Sequence, residues 1–157
     1  MGTHLQEGQM APDFELPHRG GTLRLSNLRG EKVALYFFPE SFSKDCTAEA
    51  CNLRDSHPSL EGLNLRVIGI SADDQETQER FEKEYDLPFP VLSDEGGRVA
   101  ADYGVFGIKR ADGSILDQAR RVTFIVGEEG RILKIIDPVT AATHSDQIAA
   151  ALEQTAS

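Results

Sequence analysis

Cysteine is scarce in this 157-residue chain, which has two, at positions 46 and 51. Two cysteines cannot build the disulfide framework of a small secreted domain, and a domain of this length buries enough core to need none. Positive charge is also thin. The 16 Lys and Arg stand against 26 Asp and Glu, a formal net charge of −10, and no basic run occurs anywhere. That balance argues against nucleic acid and against an anionic membrane as partners. Long apolar runs are missing too: the longest, Val33–Phe38, falls far short of a membrane span. The N-terminus lacks the charged-then-apolar order of a signal peptide, so a cytoplasmic location is expected. Without repeats, low-complexity tracts or Pro/Ser linkers, residues 1–157 read as one domain.

Other absences narrow the chemistry. His4, His18, His57 and His144 are scattered and read as surface residues, and none pairs with Cys46 as the base of a cysteine hydrolase. Two cysteines five apart with no paired histidines do not supply four zinc ligands. Gly20-Gly21 and Gly96-Gly97 read as turns, and neither forms a phosphate loop. No metal and no cofactor is expected.

The elements that are present alternate. Phe14–Leu16 and Thr22–Leu25 flank a Pro17–Gly21 turn as a small N-terminal hairpin, and Ser26–Gly30 reads as a short helical turn. Val33–Phe38 is a continuous β-prone run, as a strand buried on both faces should be, and Pro39 ends it. A helical pattern follows from about Ser43 to Ser56, then a second core strand at Leu65–Ser71. Strand, helix and strand at this length make a βαβ unit with parallel strands. Asp73 and Glu76 suggest a capping box for a helix ending near Tyr85. Further on come a short strand at Val91-Leu92, a brief helix over Val99–Tyr103 stopped by Gly104, and a polar stretch, Ile108–Ala119, read as loop. Val122–Val126 and Ile132–Ile136 around Gly127-Glu128-Glu129-Gly130 give the strongest hairpin signal, and a helix over Ser145–Glu153 closes the chain. The fold class expected is α/β, a mixed central sheet with helices on both faces.

Chemistry concentrates in Pro39-Glu40-Ser41-Phe42-Ser43-Lys44-Asp45-Cys46-Thr47-Ala48-Glu49-Ala50-Cys51. Cys46 falls in the first turn of a helix that follows a buried strand, where backbone N–H groups and the helix dipole favour a thiolate. Ser43 is a natural N-cap, which puts Cys46 at the third helical position. An ordinary free thiol is about 3% ionised at pH 7, so complete ionisation accelerates attack by at most about thirtyfold, or ~2 kcal/mol. Enzymatic attack needs much more, from holding the reactant in line and stabilising the departing atom. A hydroxyl, backbone donors and a cation are therefore expected near the sulfur. The spacing to Cys51 adds a constraint. Five residues along an intact helix separate the Cα atoms by roughly 8.7 Å, beyond the ~7 Å that a disulfide spans. Either the two sulfurs never join, or the first helical turns unwind when they do.

Pro39, Ser43 and Cys46 match the pattern Pro, three residues, Thr or Ser, two residues, Cys, and the chain resembles the peroxiredoxin family. Cys-Thr-Ala-Glu-Ala-Cys resembles its Q-type group, the bacterioferritin comigratory proteins. The likeness runs through Ala11-Pro12-Asp13-Phe14, Leu35–Pro39, Val67–Ser71, Phe89–Asp94, Tyr103-Gly104-Val105 and Arg121-Val122-Thr123-Phe124. It departs from the group at Ser43, where Thr is commoner, and at Lys44-Asp45, where Pro-Gly is usual. The resemblance implies a thioredoxin-like fold and a thiol-specific peroxidase that reduces hydrogen peroxide and organic hydroperoxides. Cys46 would be the attacking residue, Ser43 would hold the peroxide, and Pro39 would shield the sulfenate. Arg121 would be the cation, oriented by Glu49. Cys51 would resolve, and thioredoxin or a similar dithiol protein would be the reductant. The dimeric two-cysteine enzymes carry a C-terminal extension that this chain lacks, so a monomer is expected.

Plainer readings stand beside these. Cys51 can be core filler, Glu49 a first-turn acid, Arg54 a helix-surface residue, and Arg120 equals Arg121 by composition alone. The Pro39–Ser43 stretch also resembles a one-cysteine branch in which an external thiol resolves. A thiol–disulfide oxidoreductase would want Cys-x-x-Cys, which is missing. A non-enzymatic redox sensor remains the alternative from another class.

Overall fold

The computed structural model describes residues 3–19 and 21–155; Gly20, within the expected Pro17–Gly21 turn, lies outside them. Among the described residues, nine strands and four helices alternate in the expected α/β manner. They are β1 (Glu15–His18), β2 (Gly21–Arg24), β3 (Lys32–Phe37), α1 (Lys44–Glu61), β4 (Leu65–Ser71), α2 (Gln75–Glu84) and β5 (Val91–Ser93), followed by α3 (Arg98–Asp102), β6 (Phe106–Lys109), β7 (Ile115–Ala119), β8 (Val122–Val126), β9 (Ile132–Ile136) and α4 (His144–Thr155). The central sheet has the order β5-β4-β3-β8-β9. Its β3–β4 and β4–β5 pairs are parallel, and β8 and β9 add antiparallel.

Strand β3 lies in the middle because it can be buried on both faces. Val33, Leu35 and Phe37 point to one side, where they meet Phe14, Leu16 and Leu25 from the N-terminal segment and Val99, Ala100 and Tyr103 from α3 and its end. Ala34, Tyr36 and Phe38 point to the other, against Cys46, Ala50 and Leu53 of α1, Phe81 of α2, and Ile148 and Leu152 of α4. Period-two alternation through one strand thus feeds two cores.

The structure corrects several local expectations. Helix α1 runs five residues past Ser56 and carries Pro58 in its interior. Proline has no N–H, so Pro58 cannot bond the Arg54 carbonyl one turn back. The cap of α2 is Asp74, whose side chain accepts from Thr77 N at 2.8 Å, rather than Asp73. Asp73 is engaged elsewhere: its Oδ2 accepts from the Ser41 backbone N–H (2.8 Å) and the Ser71 hydroxyl (2.6 Å), which ties the loop after β3 to the end of β4. The polar stretch read as loop is a hairpin of β6 and β7. Its turn is closed by Arg110 N to Ser114 O (2.8 Å) and by the Asp112 carboxylate on Ser114 N (2.9 Å), with Gly113 at φ 90°. Turn chemistry of this kind outweighs weak strand propensity. The hairpin of β8 and β9, the short helix ended by Gly104 and the N-terminal hairpin of β1 and β2 stand where expected.

Candidate active site

Central strand β3 ends at the carboxyl end of the parallel strands, and Pro39, half-buried, directs the chain into the loop that precedes α1. Within that loop Phe42 takes a left-handed backbone, φ 72°, which is costly for a residue with a side chain. Its ring compensates by packing on α2, with centroids 5.1 Å from Phe81 and 6.2 Å from Tyr85, and the Arg80 guanidinium 5.6 Å above it. Ser43 then caps α1. Its Oγ accepts from Cys46 N at 3.3 Å, and its carbonyl accepts from Thr47 N at 2.9 Å. Cys46 is the third helical residue, as the cap position predicts, and only 1% of its surface is exposed.

The cation comes from across the sheet. Arg121, immediately before β8, directs Nη2 to the Cys46 sulfur at 3.2 Å and Nη1 to Glu49 Oε1 at 2.5 Å. Burial works against the charge on this guanidinium, but the Glu49 carboxylate and the Cys46 sulfur outweigh it and raise its pKa above the ordinary arginine value. Arg120, the rival by composition, faces the other way, with its Nη2 on the Gly104 carbonyl at 2.6 Å. Arg54 is also elsewhere, donating Nη1 to the Tyr85 carbonyl at 2.9 Å. Lys44 and Asp45 are exposed in the first turn of α1. Four of the six expected residues, Ser43, Cys46, Glu49 and Arg121, therefore form one contiguous hydrogen-bonded group. Cys51 is half-buried one helical turn beyond, belongs to neither core, and is a free thiol like Cys46.

One expectation fails outright. His144 is no surface residue: it is wholly buried at the start of α4, its Nδ1 2.8 Å from Glu49 Oε2 and its Nε2 2.7 Å from Thr123 Oγ1. The contact with Glu49 is close but off-line, so it counts as an ion-pair distance and not as a hydrogen bond. The helical period held the signal. His144, Ile148 and Leu152 recur at four-residue spacing, so a helix begun one residue earlier puts the imidazole on the buried stripe. His18 and His57 are only partly exposed as well, beside Glu82 and Glu61 respectively.

Behind the sulfur the packing is aromatic, with several buried polar atoms set into it. Tyr36 is packed between Phe38, Phe89 and the His144 ring, and burial, with the negative charges of Glu49 and Cys46, pushes its phenol well above the ordinary tyrosine pKa. Its hydroxyl, Thr47 Oγ1, Glu49 Oε2 and His144 Nδ1 are buried without a hydrogen-bond partner among the described residues. Each such atom costs about 1–3 kcal/mol. None of the six expected residues lines the surface cleft between His57, Asn64, Arg66 and Phe89. What the arrangement can do is hold a thiolate beside a guanidinium, with a hydroxyl and a helix start in reach.

The sequence profile of the AhpC/TSA family matches residues 7–135. Peroxiredoxin Bcp of Bacillus subtilis is 38% identical over 131 residues, covering 83% of this chain and 83% of that protein. Peroxiredoxin Bcp of Escherichia coli is 34% identical over 145 residues, 92% of this chain and 93% of that one. The crystal structure of peroxidoxin BcpB from Mycobacterium tuberculosis superposes with a TM-score of 0.86 at 32% identity, covering 98% of this chain and all of that one. PrxQ of Xylella fastidiosa shares the fold, with a TM-score of 0.90 at 23% identity over 99% of this chain and 100% of that one. Fold and site together define a thiol peroxidase on a thioredoxin-like sheet. The chain belongs to the AhpC/TSA family, among the peroxiredoxins of the Bcp and Q group.

Proposed function

We propose that Cys46 is the sulfur that reduces the hydroperoxide and that Cys51 resolves it. The observation that carries this reading is the 3.2 Å contact between Arg121 Nη2 and the Cys46 sulfur, with Glu49 holding the same guanidinium. The thiolate attacks the terminal oxygen of ROOH, the O–O bond breaks, and the sulfur is oxidised by two electrons to a sulfenic acid. The departing RO⁻ takes a proton from solvent and leaves as an alcohol or water. Arg121 stabilises the negative charge as it moves from sulfur to that oxygen. Ser43 Oγ, which accepts from Cys46 N, keeps its own proton to donate to the peroxide. Pro39 closes the loop side of the sulfenate.

In the second step the Cys51 thiolate attacks the Cys46 sulfenic sulfur, an S–S bond forms, and hydroxide leaves and is protonated to water. Both residues sit on α1, so its first turns must unwind for this step. The opened segment presents the disulfide to a dithiol protein such as thioredoxin, which takes the oxidation through a mixed disulfide. Arg54, one turn from Cys51, is a nearby cation whose own pKa is raised, chiefly by its hydrogen bond to Asp55 and also by the Cys51 sulfur. The cycle consumes reducing equivalents from dithiols, which fits a cytoplasmic setting. A monomer is the assembly this reading assumes.

One equivalent of hydrogen peroxide followed by peptide mass spectrometry tests the pair. The expected product has lost two hydrogens and joins the Cys46 and Cys51 peptides. Cys51→Ser is expected to keep the first oxidation and abolish turnover with thioredoxin. An unjoined, over-oxidised Cys46 in the wild type would instead establish the one-cysteine cycle with an external thiol.

A further inference from the structure

Among the described residues, the buried polar side-chain atoms without a hydrogen-bond partner come from Tyr36, Thr47, Glu49 and His144. A general packing defect would scatter such atoms. Here Thr47 adjoins Cys46, Glu49 binds Arg121, and the Tyr36 phenol feels the charges of Glu49 and Cys46. Sites that break the rule of polar satisfaction are where function concentrates.

The arrangement is a line of four groups. The Cys46 sulfur meets Arg121 Nη2 at 3.2 Å, Arg121 Nη1 meets Glu49 Oε1 at 2.5 Å, and Glu49 Oε2 faces His144 Nδ1 at 2.8 Å. Thr123 Oγ1 pins the far side of the imidazole at 2.7 Å. Glu49 and His144 are each 0% exposed, so water does not set their charge balance. A lone carboxylate in that position would draw the guanidinium wholly to itself, and a protonated one would release it. Either change moves the cation off the sulfur. The titratable groups around His144 are Glu49 from α1, Tyr36 from β3 and, through Glu49, Arg121 ahead of β8; Asp146 of its own helix is exposed.

We propose that His144 is a positioning residue of the peroxidatic site: it takes up part of the charge of the inner Glu49 oxygen, so that the outer oxygen holds Arg121 while leaving one guanidinium nitrogen for the sulfur. The inference rests on the reading of Cys46 as the reactive thiol. It assigns work to a residue 98 positions away that touches neither sulfur nor substrate.

The test compares His144→Leu, His144→Asn and Thr123→Val with the wild type. The readouts are the second-order rate constant for hydrogen peroxide and, in a Cys51→Ser background, the pH profile of Cys46 alkylation by iodoacetamide. His144→Leu is expected to slow peroxide reduction at least tenfold and to move the alkylation profile to higher pH. His144→Asn, which keeps an N–H where Nδ1 stands, is expected to stay within about threefold of the wild type. Thr123→Val, similar in shape, is expected to fall between the two. A folded His144→Leu with wild-type values for both readouts overturns the proposal, as do equal losses in the Leu and Asn variants. Should His144→Leu fail to fold, an unchanged Thr123→Val overturns it instead. Alkylation needs no peroxide, so a wild type that consumes none defeats the enzymatic reading while the alkylation profiles still decide the role of His144.

Discussion

At the scale of single residues, the site depends on how one guanidinium divides its donors. Arg121 presents two parallel nitrogens, one to sulfur and one to a carboxylate, and lysine has a single point charge at the end of a shorter, more flexible chain. Arg121→Lys should therefore lower the rate constant with hydrogen peroxide at least about tenfold, or ~1.4 kcal/mol, while leaving the fold intact. Competition kinetics against a second peroxide scavenger, with a thermal melt as control, measures both. Cys46, Ser43 and the need for a nearby cation were legible because each follows from a local pattern: a strand end, a cap and a helix start. Which arginine supplied the cation followed from the Arg121–Phe124 motif, since Arg120 and Arg121 do not differ in composition. The burial of His144 beside Glu49 was not legible, because its partners Glu49 and Thr123 belong to α1 and β8, and only the meeting of three elements brings them together.

At the scale of elements, α1 holds both cysteines and also an interior proline. Both cysteines lie between the Ser43 cap and Pro58, and the proline withholds the hydrogen bond that would fasten the Arg54 carbonyl. Pro58→Ala restores that donor in a residue of high helix propensity. It should raise the melting temperature of the reduced protein and slow formation of the Cys46–Cys51 disulfide about threefold or more, because unwinding becomes harder. Stopped-flow measurement after a peroxide pulse separates this step from the first oxidation, whose rate should not change. The sequence pattern marked the start of α1 but not its length, since proline normally ends a helix and tertiary packing here overrides it: Leu60, beyond the proline, is buried in the core. The same tension explains the shifted cap of α2, where Asp73 is better used in holding Ser41 and Ser71 than in capping. The hairpin of β6 and β7 escaped notice because its polar alternation gives little periodicity, and Asp112 and Gly113 in its turn supply most of the information.

For the whole molecule, sheet composition was readable from two continuous apolar strands and one glycine-bounded hairpin, and strand order was not. The position of β3 between β4 and β8 depends on pairings far apart in sequence. What locks the N-terminal hairpin to this sheet is a buried ionic group. Glu82 of α2 accepts from Arg19 at 2.6 Å, lies 3.1 Å from the His18 ring, and accepts from Val91 N at 3.1 Å. Burial works to raise the Glu82 pKa, but the His18, Val91 and Arg19 contacts together lower it below the ordinary 4.5. A carboxylate with a depressed folded pKa contributes stability above its unfolded value and loses it as pH falls through the folded one. Thermal melts should therefore show a loss of stability below about pH 4.5 that Glu82→Gln diminishes, with the variant about 1 kcal/mol less stable than the wild type at neutral pH.

The unequal depth of the two sulfurs has a practical corollary. Cys46 is closed over in the reduced protein, whereas Cys51 is only half covered. A bulky maleimide dye has room at one thiol and none at the other, so brief labelling of the native protein tags a single defined position. A fluorophore attached there sits on the segment that is proposed to melt, and with the second sulfur capped in this way it would register the arrival of oxidant at the first.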